Sequence, residues 1–127
     1  MTERRRVFSG SPYEARFGFC RAVRTGDRVL VAGTAPIWPD GSCDPDPEVQ
    51  ARRCYEIILE ALAQLGAEPR HVVRTRVYIT DAALAEPVGN AHGELFAGSP
   101  PVNTMLVVAG LLDERWKVEI EAEAVLG

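Results

Sequence analysis

The segment VEIEAEAV, residues 118–125, alternates strictly between apolar and acidic side chains. Successive side chains of a β-strand point to opposite faces, so this pattern predicts a strand with one buried face. Its other face carries Glu119, Glu121 and Glu123, which repel one another unless cations lie nearby. The segment therefore predicts a closing strand whose acidic face has partners elsewhere in the chain.

Three other parts of the chain also have the pattern of strands. Gly26-Asp27 separates Phe19–Thr25 from Arg28–Ala32, and glycine first in a two-residue loop suits a type II′ hairpin. His71–Thr80 predicts a strand of alternating faces. Thr104–Val108 is a continuous apolar run, as expected for a central strand.

Two helices are predicted between these strands. Asp46 can cap the first, Pro47 suits its first position, and Gly66 follows as a left-handed stop. A weaker helix is predicted over Leu84–Phe96, with Pro87 in or near its first turn. The order of elements indicates one α+β domain over residues 1–127, a two-layer fold with both helices on one face of the sheet.

The uncovered face of this sheet is predicted to mix charged and apolar groups. On His71–Thr80, one face carries Val73, Thr75, Val77 and Ile79, and the other carries Val72, Arg74, Arg76 and Tyr78. The open face would then hold the arginines and the three glutamates beside Leu30 and Val107. Because exposed apolar strands usually meet a partner, we expect this face to contact other subunits, with Arg–Glu pairs fixing the register.

Composition excludes several classes of protein. The chain has 127 residues, 46% of them hydrophobic, and a net charge of −4, which does not favour nucleic acid as a partner. Arg4-Arg5-Arg6 is interpreted as a solvated edge or arm. The three cysteines, Cys20, Cys43 and Cys54, form no Cys-x-x-Cys pair, which argues against a disulfide scaffold or a zinc ribbon.

Other absences in the sequence shape the remaining expectations. No apolar run suits a signal peptide or a membrane span, so we expect a cytoplasmic protein without a membrane partner. No phosphate loop, His-Glu-x-x-His motif or nucleophile elbow occurs. The only histidines, His71 and His92, are interpreted as structural, and neither a metal nor a cofactor is expected.

Two polar residues in strands are candidates for function. Glu119 either pairs with Arg74 or Arg76 or positions a water or ligand. Asn103 is either a turn residue that begins its strand or an amide presented to a ligand. The aromatic residues Phe19 and Trp38 are more typical of packing than of a ligand platform.

Four segments together resemble the RidA/YjgF family, and the match covers nearly the whole chain in order. Gly26–Pro36 resembles the hairpin strand and the Ser-Gly-Gln loop, and Val72–Asp81 is similar to the central strand. Pro101–Met105 stands where the family shows Pro-Ala-Arg-Ser-Cys, and Val118–Ala122 resembles the closing strand.

The resemblance implies a chorismate-mutase-like fold with a mixed sheet. It also implies a homotrimer with small-molecule clefts between neighbouring subunits. In active members, an arginine grips the carboxylate of a 2-imino or 2-enamino acid, and a glutamate activates water to give a 2-keto acid and ammonia.

Position by position, the resemblance gives a mixed picture. Glu119 falls on the family's glutamate and is the expected catalytic residue, and Gly33 falls on the cleft glycine. The remaining ligand-binding positions all depart from the family pattern. Asn103 stands for the arginine, Phe19 for a tyrosine, Ala32 for a serine and Met105 for a cysteine. Gly89 departs as well, because it replaces an asparagine of the helix. Loss of a two-pronged cation removes a charge-assisted pair, so the site suits a less acidic metabolite.

Three functions stay open on the sequence. The first is a member that binds or hydrolyses an altered metabolite and has lost ordinary deaminase activity. The second is an imine deaminase that uses another arginine, with Arg16 and Arg21 as candidates. The third is a non-enzymatic interaction or chaperone-like module; the ribonuclease name given to some members has no support in the acidic balance. The first requires Asn103 and Glu119 to face one cavity with no guanidinium nearby.

Overall fold

A computed structural model describes residues 3–127 as a six-stranded mixed sheet with three α-helices. The strands are β1 (Arg4–Val7), β2 (Ala22–Thr25), β3 (Arg28–Thr34), β4 (Val72–Ile79), β5 (Val102–Val107) and β6 (Val118–Val125). The helices are α1 (Pro12–Phe17), α2 (Pro47–Gln64) and α3 (Ala85–Phe96), and short 3-10 turns cover Pro69–His71 and Ala82–Leu84. The predicted α+β class is confirmed.

The strands are ordered β1-β2-β3-β6-β4-β5. The β4–β5 pair is parallel and the other pairs are antiparallel. Val118, Ile120, Ala122 and Ala124 of β6 are buried, and they share a core with Ile58 and Leu62 of α2. The core therefore fills the space between the long helices and one face of the sheet, while the other face stays open.

The hairpin between β2 and β3 matches its prediction. Thr25 pairs with Arg28 across the turn, and Gly26 has a φ of 63°. No residue other than glycine in the described range 3–127 has a positive φ, so Asp27 has a negative one. A positive φ followed by a negative φ is the type II′ pattern that the glycine predicted.

The ends of α2 also follow the sequence. The Asp46 side chain accepts hydrogen bonds from the backbone N–H groups of Glu48 and Val49, and Pro47 begins the helix. Gly66, just beyond the last turn, has a φ of 83°. These contacts satisfy backbone groups that a helix end leaves free, which is why both ends could be predicted.

The position of β5 differs from the prediction. Its apolar run indicated a central strand, but β5 pairs only with β4 and lies at the edge of the sheet. Val107 is in parallel register with Ile79, whose side chain is buried on the helix side, so Val107 does not lie on the open face. Leu106, in register with Tyr78, takes that place and is 47% exposed.

A bulge in β4 reverses the predicted faces of two further residues. Val72 pairs with Ala124 and Arg74 with Glu123, so the register skips Val73. Val72 is consequently buried and Val73 exposed, the reverse of the alternation read from the sequence. An extra residue in one strand shifts every side chain before it to the opposite face.

The N-terminal segment contains two elements that were not predicted. Arg4, Arg5 and Arg6 are exposed on the edge strand β1, in agreement with a solvated edge. Helix α1 is capped by Ser11 and ends at Gly18, and it buries Glu14. Helix α1 escaped prediction because six residues are too short to show a periodic pattern.

Candidate functional site

The open face carries a set of ion pairs between β4 and β6. Arg76 Nη1 lies 3.3 Å from Glu121 Oε1, which also accepts a 2.9 Å hydrogen bond from the Tyr78 hydroxyl. Arg74 Nε lies 3.7 Å from Glu123 Oε2. Two of the three carboxylates of β6 are thus neutralised within the chain, as the sequence required.

Glu119 is the exception among these carboxylates. Tyr78 is its partner in the register, which places it on the open face, yet its carboxylate has no hydrogen bond or ion pair to residues 3–127. Burial raises the pKa of this carboxyl group, and nearby Arg21 opposes the rise while Glu121 adds to it. A partly buried, unpaired carboxylate with a raised pKa is suited to accepting a proton from water.

Gly33 makes room for that carboxylate. A Cβ at position 33 would lie 3.3 Å from Glu119 Oε2, which is tighter than most Cβ contacts, and 3.4 Å from its Cδ, where ordinary van der Waals contact begins. The β3–β6 register shifts between Val31 and Thr34, so Gly33 sits in an irregular stretch of the strand. The retained glycine therefore has a physical reason: a larger residue would displace the Glu119 side chain.

A guanidinium does lie near Glu119, contrary to what the first of the three functions requires, and it belongs to Arg21, a candidate of the second function. Arg21 Nη2 donates a 2.6 Å hydrogen bond to the carbonyl of Gly33, and its Nε is buried without a partner in the described chain. Burial lowers the pKa of Arg21, and the carboxylates of Glu14 and Glu119 raise it. Arg16, the other candidate, is exposed and its guanidinium lies over the ring of Phe17. We call Glu119, Gly33 and Arg21 the Glu119 half-site.

Asn103 lies in a different environment. It is in parallel register with Thr75, and its Nδ2 donates a 2.9 Å hydrogen bond to Thr75 Oγ1. The same hydroxyl lies 2.7 Å from Nε2 of His92 on α3. The His92 ring packs against Phe96 and Tyr55, and burial lowers its pKa. We call Asn103, Thr75, His92 and Met105 the Asn103 half-site.

The two half-sites lie on opposite faces of the sheet. Thr75 is fully buried on the helix side, and Asn103 shares that side, whereas Tyr78 and Glu119 point to the open side. Within one chain Asn103 and Glu119 therefore do not face a common cavity. Three strand positions separate Thr75 from Tyr78, and alternate side chains change face, so a cavity shared by Asn103 and Glu119 is not formed within one chain.

The other predicted site residues are spread over these regions. Ala32 lines a cavity of about 260 Å³ on the open face, and Phe19 lines one of about 280 Å³ beside α1. Met105 is in register with Val77 and packs against the core. Gly89, on α3, has open space where a side chain would project.

Thr75 and His92 were not predicted as site residues. Thr75 is a hydroxyl on the apolar face of a strand, and a buried hydroxyl needs a hydrogen-bond partner. That rule could have drawn attention to Thr75. It could not have selected His92, seventeen residues away along the chain, or the amide of Asn103.

The described residues contain neither a metal-binding cluster nor a helix able to span a membrane. Among residues 3–127, no group of three or more His, Cys, Asp or Glu side chains is placed to hold a metal ion. No helix in that range combines the length and apolar character needed to cross a bilayer.

Comparison with known proteins gives the family. The family model described as Endoribonuclease L-PSP matches residues 10–126. The chain belongs to this family, also known as YjgF/RidA. This agrees with the resemblance read from the sequence.

Individual relatives of the YjgF/RidA family support the same conclusion. The chain is 45% identical over 124 residues to the uncharacterized protein SCO2049 of Streptomyces coelicolor, covering 97% of this chain and 92% of the relative. The crystal structure of Rv2704 from Mycobacterium tuberculosis, described as a member of the YjgF/YER057c/UK114 family, has a TM-score of 0.89 and 40% identity, covering 97% and 99% of the two chains. The YjgF gene product of Escherichia coli has a TM-score of 0.79 and 25% identity, covering 84% and 87%.

Proposed function

We propose that this member of the YjgF/RidA family is a cytoplasmic homotrimer that binds, between subunits, a small metabolite less acidic than a 2-imino acid. The Glu119 half-site of one subunit faces the Asn103 half-site of its neighbour. Glu119 acts as the general base that activates water for hydrolysis of an imine- or enamine-like bond. Ordinary 2-imino acid deaminase activity is lost.

The unpaired state of Glu119 carries this proposal. Two of the three acidic groups on β6 are used in pairs with Arg74 and Arg76, so the structural explanation for those two is complete. Glu119 is left beside a glycine that clears space for it, with its pKa raised by burial. A carboxyl group of this kind takes up a proton more readily near neutral pH than an exposed one.

Assembly supplies the geometry that one chain lacks. Asn103 and Glu119 face opposite sides of the sheet, so only a neighbouring copy can bring such a pair together. The edge strand β5 leaves Val102, Leu106 and Val107 exposed, and Leu30 is exposed on the open face. Apolar surface on a free strand edge is the kind of surface that subunits cover.

The amide at position 103 decides which ligands are favoured. Arginine would provide a planar cation for a carboxylate, whereas asparagine provides a neutral dipole. Hydrogen bonds to charged groups contribute roughly 1.5–3 kcal/mol, so losing one weakens carboxylate binding by about ten- to a hundredfold. An uncharged analogue of an imino acid loses much less, because it needs no counter-charge.

The test compares two substrates that differ in this charge. 2-Iminopropanoate and 2-iminopropanamide are generated fresh by loss of HCl from N-chloroalanine or N-chloroalaninamide, so that no keto product is present at the start, and hydrolysis is followed by competition with semicarbazone formation. We expect faster hydrolysis of the amide, with Glu119→Gln reducing it to background. Glu121→Gln is the matched control, because Glu121 is paired on the same face. Efficient hydrolysis of 2-iminopropanoate contradicts the loss of deaminase activity.

Arg21 favours a second candidate, an imine deaminase with a relocated cation. Its guanidinium lies close enough to Glu119 to lower the pKa of that carboxyl group. Nη2 of Arg21 already donates a hydrogen bond to the Gly33 carbonyl, so Arg21 has fewer N–H groups left for a ligand than an arginine at position 103 would have. Arg21→Lys separates the two candidate functions, and Arg16→Lys is its control. A loss of 2-iminopropanoate hydrolysis in Arg21→Lys but not in Arg16→Lys would support the imine deaminase.

A further inference from the structure

A buried hydroxyl connects Asn103 to a histidine. Thr75 Oγ1 is fully buried on β4 and has two neighbours, Asn103 Nδ2 at 2.9 Å and His92 Nε2 at 2.7 Å. Both distances are those of ordinary hydrogen bonds. The three side chains come from β5, β4 and α3, so the network joins the edge strand to the helix layer.

The number of protons in this network determines which group donates and which accepts in each hydrogen bond. A threonine hydroxyl has one proton to donate, whereas an asparagine NH2 group can only donate. Since Asn103 Nδ2 donates to Thr75 Oγ1, the Thr75 proton must go to a different acceptor. Among the described residues that acceptor is His92 Nε2. An unpaired buried hydroxyl proton would cost free energy, so the neutral His92 ring carries its own proton on Nδ1.

The direction of the network determines what Asn103 offers to a ligand. With its NH2 group held by Thr75, the carbonyl Oδ1 is the free end of the amide, and the residue is exposed at the edge strand. Oδ1 accepts no hydrogen bond from residues 3–127. The free end of this side chain is therefore an acceptor, the opposite of a guanidinium.

We propose that Thr75 and His92 are positioning residues that turn the Asn103 carbonyl toward the cleft, so that the ligand group bound there is a hydrogen-bond donor. Suitable donors are an amide N–H, a hydroxyl, an amidine or an ammonium group. The inference rests on the proposed cleft and specifies the chemistry of its ligand. It also explains why an amide can replace a cation here without leaving an unused polar group.

The tautomers of the two histidines give the first test. His71 Nδ1 accepts a 2.8 Å hydrogen bond from the backbone N–H of Glu68, so its neutral ring carries the proton on Nε2. His92 is expected in the opposite tautomer, protonated on Nδ1. Nitrogen-15 NMR of the ring nitrogens in mildly alkaline solution, where imidazole rings are neutral, distinguishes these forms, and His71→Gln assigns the signals. A neutral His92 protonated on Nε2 overturns the proposal. This measurement needs no ligand or turnover, so it stands apart from failure of the proposed function.

Binding of two small planar probes gives the second test. Acetamidinium only donates hydrogen bonds and acetate only accepts them, and both have nearly the same shape. Binding is followed by the side-chain amide signals of Asn103, in the Glu119→Gln background so that the carboxylate does not attract the cation. One hydrogen bond of typical strength predicts a preference for acetamidinium of roughly three- to tenfold. Equal binding or a preference for acetate contradicts the proposal.

Variants of the two positioning residues complete the design. Thr75→Val removes the hydroxyl at similar volume and is expected to abolish the preference, whereas Thr75→Ser restores it. His92→Phe keeps the ring contacts with Tyr55 and Phe96 but removes the acceptor, so Thr75 turns its proton toward Asn103 and the preference reverses. If Thr75→Val does not fold, His92→Phe still decides the matter: an unchanged preference in that variant refutes the role of His92.

Discussion

The side chain of Gln50 fixes the start of β6, two residues before Glu119, and its loss should be costly. Gln50 is 1% exposed. Its Nε2 donates to the carbonyls of Asp44 at 2.7 Å and Arg115 at 3.0 Å, and its Oε1 accepts from the backbone N–H of Lys117 at 2.8 Å. The side chain therefore ties the loop before α2 to the loop that leads into β6.

Gln50→Met keeps the length of the side chain and removes all three hydrogen bonds. At about 1 kcal/mol each, and with backbone groups left unpaired in a partly buried place, the expected loss of unfolding free energy is about 3 kcal/mol. For a domain of this size, each 1 kcal/mol lowers the melting temperature by roughly 3–5 °C, so a fall of about 10 °C is predicted. The carboxylate of Glu119 should also lose its fixed position.

Denaturant unfolding followed by tryptophan fluorescence measures this change. Wild type and variant are compared at one protein concentration, because subunit association adds to apparent stability. Gln64→Met is the matched control, since Gln64 is an exposed residue at the end of the same helix. A loss below about 1 kcal/mol, or a loss equal to that of Gln64→Met, would refute the reasoning from these hydrogen bonds.

Three further predictions concern the site and the assembly. Burial raises the pKa of Glu119 above its unfolded value, so ionisation of this carboxyl group destabilises the folded state. Glu119→Gln should therefore stabilise the protein above the folded pKa, with the advantage fading as pH falls from the folded to the unfolded pKa and absent below it, whereas Glu121→Gln should not stabilise it. Gly33→Ala should have the far-ultraviolet circular dichroism of the wild type but hydrolyse 2-iminopropanamide roughly three- to tenfold more slowly, because the added Cβ crowds Glu119 Oε2. An unchanged rate would contradict the role given to Gly33. Leu106→Lys, on the exposed edge of β5, should convert a trimer into monomers of 13.9 kDa in light scattering, and a wild-type monomer would contradict the proposed assembly.

The sequence predicted elements whose signals are local. The hairpin at Gly26, both ends of α2 and the alternation of β6 depend on backbone conformation, helix caps and side-chain period within a few residues. These local features match their predictions. Neutralisation of the β6 carboxylates by arginines on β4 was also predicted, but the arginines pair with Glu121 and Glu123 and not with Glu119.

The features that escaped prediction depend on contacts distant in sequence. The apolar run of β5 has the same pattern whether a second strand or another subunit covers it, so its edge position was not visible. One extra residue at Val73 shifted the faces of β4 without any glycine or proline to mark it. The contact of Asn103 with Thr75 depends on the parallel register of two strands, which the sequence does not specify.

The family resemblance identified Glu119 and Asn103 but not the relation between them. Their places on opposite faces follow from the register with Tyr78 and Thr75, respectively. A site that joins them must therefore be built by two chains, and each half can be understood separately from its own contacts. The retained glutamate lies in one half, and the substituted arginine position lies in the other.

A crystal structure of the assembled protein tests the central claim most directly. The account predicts a trimer in which the Asn103 carbonyl of one subunit and the Glu119 carboxylate of the next border a single cleft, spanned by one small molecule. If those groups are separated by protein, or an arginine from a neighbouring subunit fills the space between them, the account is contradicted.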